Sequence, residues 1–167
     1  MSKAKLTHNE DQEKVFNSTI SGYKGQITIR TPLMGSCAAS AGPVMFLGRK
    51  LKHDDSGRTV LSHEHGHYLD YKQLGFFRFF LGIGLPSMIN ASRKPGKRPF
   101  DHYYNQPWEI RADILAKIDR NEHTGEAIAL SEAYHEHLKS IKGRNWFKFL
   151  FKDLRNFINH DFTALYN

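Results

Sequence analysis

The run Leu61-Ser62-His63-Glu64-His65-Gly66-His67-Tyr68-Leu69-Asp70 gathers the side chains best suited to chemistry. His63 and His67 bracket Glu64 in an H-E-x-x-H pattern. On a helix, residues four apart lie one turn above each other on the same face, so two imidazoles can point at one ion. Glu64, about 100° further round, can reach a water held by that ion. Hydrolytic zinc takes three protein ligands and keeps a fourth position open; this pattern supplies two ligands and a base. With ten histidines in 167 residues a chance match has a probability of roughly 3 in 100, so the pattern alone is suggestive and a second motif must carry the rest.

That second motif is Trp108-Glu109-Ile110-Arg111-Ala112-Asp113, which sets Glu109 and Asp113 four apart. A carboxylate at Glu109 can complete a two-histidine, one-glutamate zinc site, and Asp113 can accept a hydrogen bond from a ligand histidine. Two acids one turn apart repel each other, which favours a metal or histidine partner over a solvated face. Asp70, Asp101 and His102 compete for the third ligand position. Asp70 lies three residues past His67 and is better suited to orient it than to reach the ion. Asp101 and His102 lie in or beside a proline-containing basic loop, where nothing fixes their aim. His102, Tyr103 and Tyr104 just precede Glu109; one of them could hydrogen-bond an oxyanion, and spacing does not assign which. His65 is about 200° round from either ligand histidine and reads as structural. His135 and His137, two apart, cannot share a helical face and read as surface residues.

Several elements must position these groups. Asp54, Asp55, Ser56 and Thr59 offer N-cap oxygens, and Gly75 offers a stop, so a helix is predicted over residues 59–74. Gly66 costs such a helix about 1 kcal/mol relative to alanine. It should therefore admit a close neighbour, either another backbone or the substrate. Residues 1–15 are polar and suit a frayed start or a short helix. Gln26-Ile27-Thr28-Ile29-Arg30 alternates with period two and predicts a strand, the small residues 35–43 a loop, and 44–48 a more buried strand. Residues 43–48 are balanced between an edge that could hold an extended substrate and a plain core strand.

The apolar stretch 76–89 contains Arg78, two glycines and a proline, and is short of the roughly 20 apolar residues of a spanning helix. Core packing against the metal helix is expected there in preference to membrane-surface attachment, which its four phenylalanines keep open. Residues 91–102 form a basic loop, and helices are predicted over 108–118, 125–141 and 145–160, the last covering the core rather than a membrane.

A length of 167 residues fits one domain, and 40% hydrophobic with 13% aromatic content fits a globular one. The net charge of +7 could attract nucleic acid, but no arginine-rich run, RNP-like stretch or zinc-finger cysteine pattern supports that, and no nucleic-acid partner is expected. Cys37 is the one cysteine, so it reads as a free structural thiol. The N-terminal stretch has charges and no apolar core, unlike a signal peptide, and a cytoplasmic location is expected.

With His63-Glu64-His65-Gly66-His67 followed by Glu109-Ile110-Arg111-Ala112-Asp113, 42 positions after the second histidine, the chain resembles the gluzincin zinc metallopeptidases. Those proteins carry H-E-x-x-H on one helix and E-x-x-x-D, often E-x-x-A-D, on a later one. A closer likeness is to small single-domain HExGH proteins of minigluzincin-like type, in which a G-x-P-S element follows; Gly84-Leu85-Pro86-Ser87 fits it. The likeness spans about residues 42–117. It implies Zn2+ as cofactor, His63, His67 and Glu109 as ligands, Glu64 as base, Asp113 as orienter, and a peptide or protein substrate. The expected fold is α+β and zincin-like: a small N-terminal β-sheet, then a helical bundle carrying the metal. The expected function is zinc-dependent peptide-bond hydrolysis. The alternative is a catalytically silent, zinc-stabilised binding or regulatory module, at a membrane surface in one version.

Overall fold

The computed structural model describes residues 13–92, 104–120 and 123–158. After a helical segment at residues 13–17 come four short strands: β1 (Ile20–Tyr23), β2 (Gln26–Thr31), β3 (Ala38–Ala41) and β4 (Val44–Gly48). Helices follow: α1 (Asp55–Phe79), α2 (Leu85–Ser92), α3 (Pro107–Ala116), α4 (Gly125–Ser140), α5 (Asn145–Lys148) and α6 (Leu154–Ile158). The fold is therefore α+β, an N-terminal four-stranded sheet leading into a helical region.

The sheet order is β1-β2-β4-β3. β2 pairs with β1 antiparallel and with β4 parallel, and β3 closes back on β4 antiparallel through a tight turn at Gly42-Pro43. This decides between two readings of residues 43–48 and corrects one expectation for residues 35–43. Residues 43–48 do not form an edge, because β4 is hydrogen-bonded on both sides. The edges are β1 and β3, and β3 lies inside the stretch expected to be a loop. Its sequence Ala-Ala-Ser-Ala has no β-branched residue to mark a strand; pairing with β4 makes it one.

Helix α1 starts at the Asp54 cap, whose carboxylate accepts from the Gly57 N–H at 3.0 Å. Gly75 has φ 77° and ψ 167°, so the regular turns end where the sequence placed a stop, and the chain re-enters helix at Phe76. A π-helical turn over Phe80–Gly84 then carries it into α2, with Pro86 in the first turn, where its missing N–H is not needed. The helical run Asp55–Ala91 is long and apolar enough to cross a membrane by length and composition alone, while Phe79 and Ile83 of the stretch 76–89 pack into the core as expected.

Two cores hold these layers. Val15, Phe16, Tyr23, Met45, Leu47 and Leu61 join the segment before β1 and the sheet to α1. Leu74, Phe79, Ile83, Trp108, Tyr134, Leu138, Phe149 and Phe157 form the larger core between the helices. The predicted C-terminal helix is broken by a π-helical turn at Phe149–Asp153, and its aromatic side chains Trp146, Phe149 and Phe157 cover this core.

Candidate metal centre

Helices α1 and α3 meet backbone to backbone at Gly66 and Ala112. A Cβ on Gly66 would stand 2.0 Å from the Ala112 carbonyl oxygen, so the close neighbour anticipated beside the histidines is another helix. Gly66 lies three residues after His63 and one before His67; Ala112 lies three after Glu109 and one before Asp113. The two pairs are thus in the same phase about the contact, and both face into one seam.

In that seam His63 Nε2 lies 3.0 Å and His67 Nε2 3.3 Å from the same oxygen, Glu109 Oε2. One donor atom from each of the three residues falls within 4.8 Å of the others, and all three side chains are buried. The group could hold a metal ion. Its surroundings fit one. Asp113 Oδ1 is 2.7 Å from His63 Nδ1 and holds a proton there, so that Nε2, turned inward, is the nitrogen that would give up its proton and offer a lone pair to a metal. Ser87 Oγ donates to Glu109 Oε1 at 2.7 Å, leaving Oε2 toward the histidines. Asp113 is itself held, through Oδ2, by Arg120 Nε at 2.6 Å, with His123 Nε2 3.4 Å away.

The charges in this seam depend on one another. Burial disfavours a charge on His63, but hydrogen bonds to Asp113 and Glu109 outweigh it and push its pKa up to about 10. Burial would raise Glu109, yet the attraction of His67 and the hydrogen bonds from His63 and His67 hold it well below the usual carboxylate range. Burial raises Glu64, partly offset by His67 and His63 and by a hydrogen bond from the Ser40 backbone N–H, so it is a stronger base than an exposed glutamate. That contact also places edge strand β3 beside Glu64.

Tyr104 stands at the rim, its ring edge-on to His63 at 6.1 Å between centroids and 4.4 Å beneath the Arg120 guanidinium. His102 and Tyr103, the other expected oxyanion donors, and Asp101 lie outside the described residues. His65 turns away to the sheet, 3.3 Å from Gln26 Oε1 and edge-on to Tyr23.

Three expectations need correcting. Asp70 does not orient His67: it is fully buried against Arg111 Nε at 3.4 Å and His135 Nδ1 at 3.3 Å. Its position three residues on carries it round α1 to the side facing Arg111 and α4. His135 is accordingly buried, not a surface residue. His137 is half-buried, its ring against Phe149 and Phe157, because the C-terminal aromatics fold over α4.

Residue spacing alone missed Ser87, Arg120, His123 and Ser40. Ser87 closes the Gly84-Leu85-Pro86-Ser87 element, so its signal was present without a role. The others had none. No protein-family model, no curated protein and no solved structure matches this chain.

Proposed function

We propose that this chain is a zinc metallopeptidase of the gluzincin kind. The observation that carries this is the convergence of His63 Nε2, His67 Nε2 and Glu109 Oε2, with Glu64 beside them and Asp113 behind His63. Two imidazoles and one carboxylate are a donor set of hydrolytic zinc. Zinc held there would supply an acidified water and a Lewis acid for the scissile carbonyl.

The chain's own residues supply the rest. Glu64, made more basic by burial, takes the proton of the attacking water at its carboxylate and passes it to the leaving amine. Asp113 fixes the tautomer of His63, and Ser87 the orientation of Glu109. Of the three expected oxyanion donors, Tyr104 is the one among the described residues, with its ring edge-on to His63. Edge strand β3 has backbone groups on its unpaired side with which an extended peptide can pair, and its Ser40 already reaches Glu64. Burial of Glu64, 8% exposed, favours a second reading: a zinc-stabilised binding module without turnover.

Glu64→Gln separates the two. The amide is isosteric and not basic, so zinc should be retained while cleavage of a generic peptide library falls by roughly 10²- to 10⁴-fold. Cleavage that survives the change intact overturns the peptidase mechanism. Zinc binding by the parent protein with no cleavage leaves the module.

A further inference from the structure

Five phenylalanines stand out of the protein around one junction: Phe76, Phe77 and Phe80 after the Gly75 kink, and Phe147 and Phe151 on the C-terminal helical run. Phe147 is 67% exposed and Phe151 81% exposed. The two segments touch through Phe77 and Trp146, whose rings meet edge-on at 5.6 Å. The glycine kink sends Leu74 and Phe79 into the core and leaves Phe76 and Phe77 outside it.

The exposed charge along these two segments has one sign. Lys142, Arg144, Lys148, Lys152 and Arg155 are exposed along the second segment, alternating with its aromatics. The one acid there, Asp153, is buried, and residues 74–92 contain Arg78 and no acid. Among 18-residue windows of the run Asp55–Ala91, the most apolar is only 28% buried. A second copy of this chain would bring like charges face to face, which opposes pairing. An anionic bilayer meets both needs: phosphates for the cations and an acyl boundary for the rings.

We propose that this face docks the protein peripherally on anionic phospholipid surfaces. The opposite side of the same helical run carries Leu74, Phe79 and Ile83 in the main core, so the run lies on the bilayer and does not cross it.

The test is co-sedimentation of the full chain with phosphatidylcholine vesicles, with and without phosphatidylserine, at low and high salt. Sedimentation is expected with the anionic vesicles and to fall as salt rises. Lys148→Gln/Lys152→Gln should weaken it about 25-fold, at about fivefold per cation. Phe147→Ser/Phe151→Ser should weaken it at least about 10-fold, with unchanged thermal unfolding showing that the fold is kept. Equal binding to neutral vesicles, or indifference to salt and to both variants, overturns the proposal. So does retention on vesicles after alkaline extraction, which means insertion. Absence of vesicle binding together with a dimer that Phe147→Ser/Phe151→Ser dissolves also overturns it, in favour of self-association.

Discussion

Gly66 and Ala112 touch where no side chain fits between them, and the candidate metal centre is the consequence. A methyl group at Gly66 would stand 2.0 Å from the Ala112 carbonyl oxygen, a backbone atom that cannot rotate aside. Because the histidine pair and the acidic pair are in phase about this contact, their reach across the seam depends on how closely the helices approach.

Gly66→Ala should therefore damage stability and metal binding together. Its gain in helix propensity, about 1 kcal/mol, is outweighed by forcing two helices apart, for which overpacking costs of about 1–3 kcal/mol are typical. Chemical denaturation and zinc titration on the same sample check this. A stabilised variant that binds metal normally would show that the seam tolerates separation.

Metal affinity should fall in a graded way across Glu109, Asp113 and Ser87. Glu109→Ala removes one of the three converging donors and should strip affinity severely. Asp113→Ala and Ser87→Ala act by releasing His63 and Glu109, so about 10- to 100-fold is expected for each. Competition titration against a zinc chelator reads all three. Equal affinity in Glu109→Ala and parent would mean that the third donor has been misplaced.

Asp70→Ala should do the opposite, lowering stability while sparing the metal. Its carboxylate faces Arg111 and His135, and removing it leaves buried polar partners unpaired, at about 1–3 kcal/mol. Unchanged denaturation with lost zinc binding would return Asp70 to the metal site.

His137 gives a pH dependence whose sign follows from its surroundings. Burial and, to a lesser degree, Lys148 depress its pKa below the usual 6.5, while Asp153 pulls the other way. The unfolded chain then binds the proton more readily than the folded one. The contribution of His137 to stability is intact above about pH 6.5 and is lost as pH falls below it. His137→Gln should thus lose less stability than the parent between neutral and mildly acid pH. Parallel pH profiles for the two proteins would refute the assignment.

Much of this centre was written in local spacing. A four-residue separation puts His63 with His67, and Glu109 with Asp113, on one face of any helix, whatever the helix packs against. Gly75 marked the break in α1 by backbone chemistry that acts within a few residues, whereas of the four candidate caps it is Asp54 that serves, so the helix starts four residues before the predicted 59. The glycine between the histidines already signalled a close neighbour, since nothing in an isolated helix rewards it.

The tertiary structure decided which groups met. Spacing could not tell backbone from substrate as the neighbour of Gly66, because that depends on the approach of a second helix distant in sequence. It could not give Asp70 to His135 and Arg111 rather than His67, since carboxylate partners across helices are set by how each helix is rotated in the core. The edge role passed to Ala38–Ala41 for the same reason: strand order is a long-range choice, and four small residues carry no pattern of their own. Ser87 and Arg120 reach the acids from other elements, over 22 and 7 positions of chain, and no periodicity within one helix reports such a contact. Phe76, Phe77 and Phe80 looked like core by composition; the kink at Gly75 turned them outward.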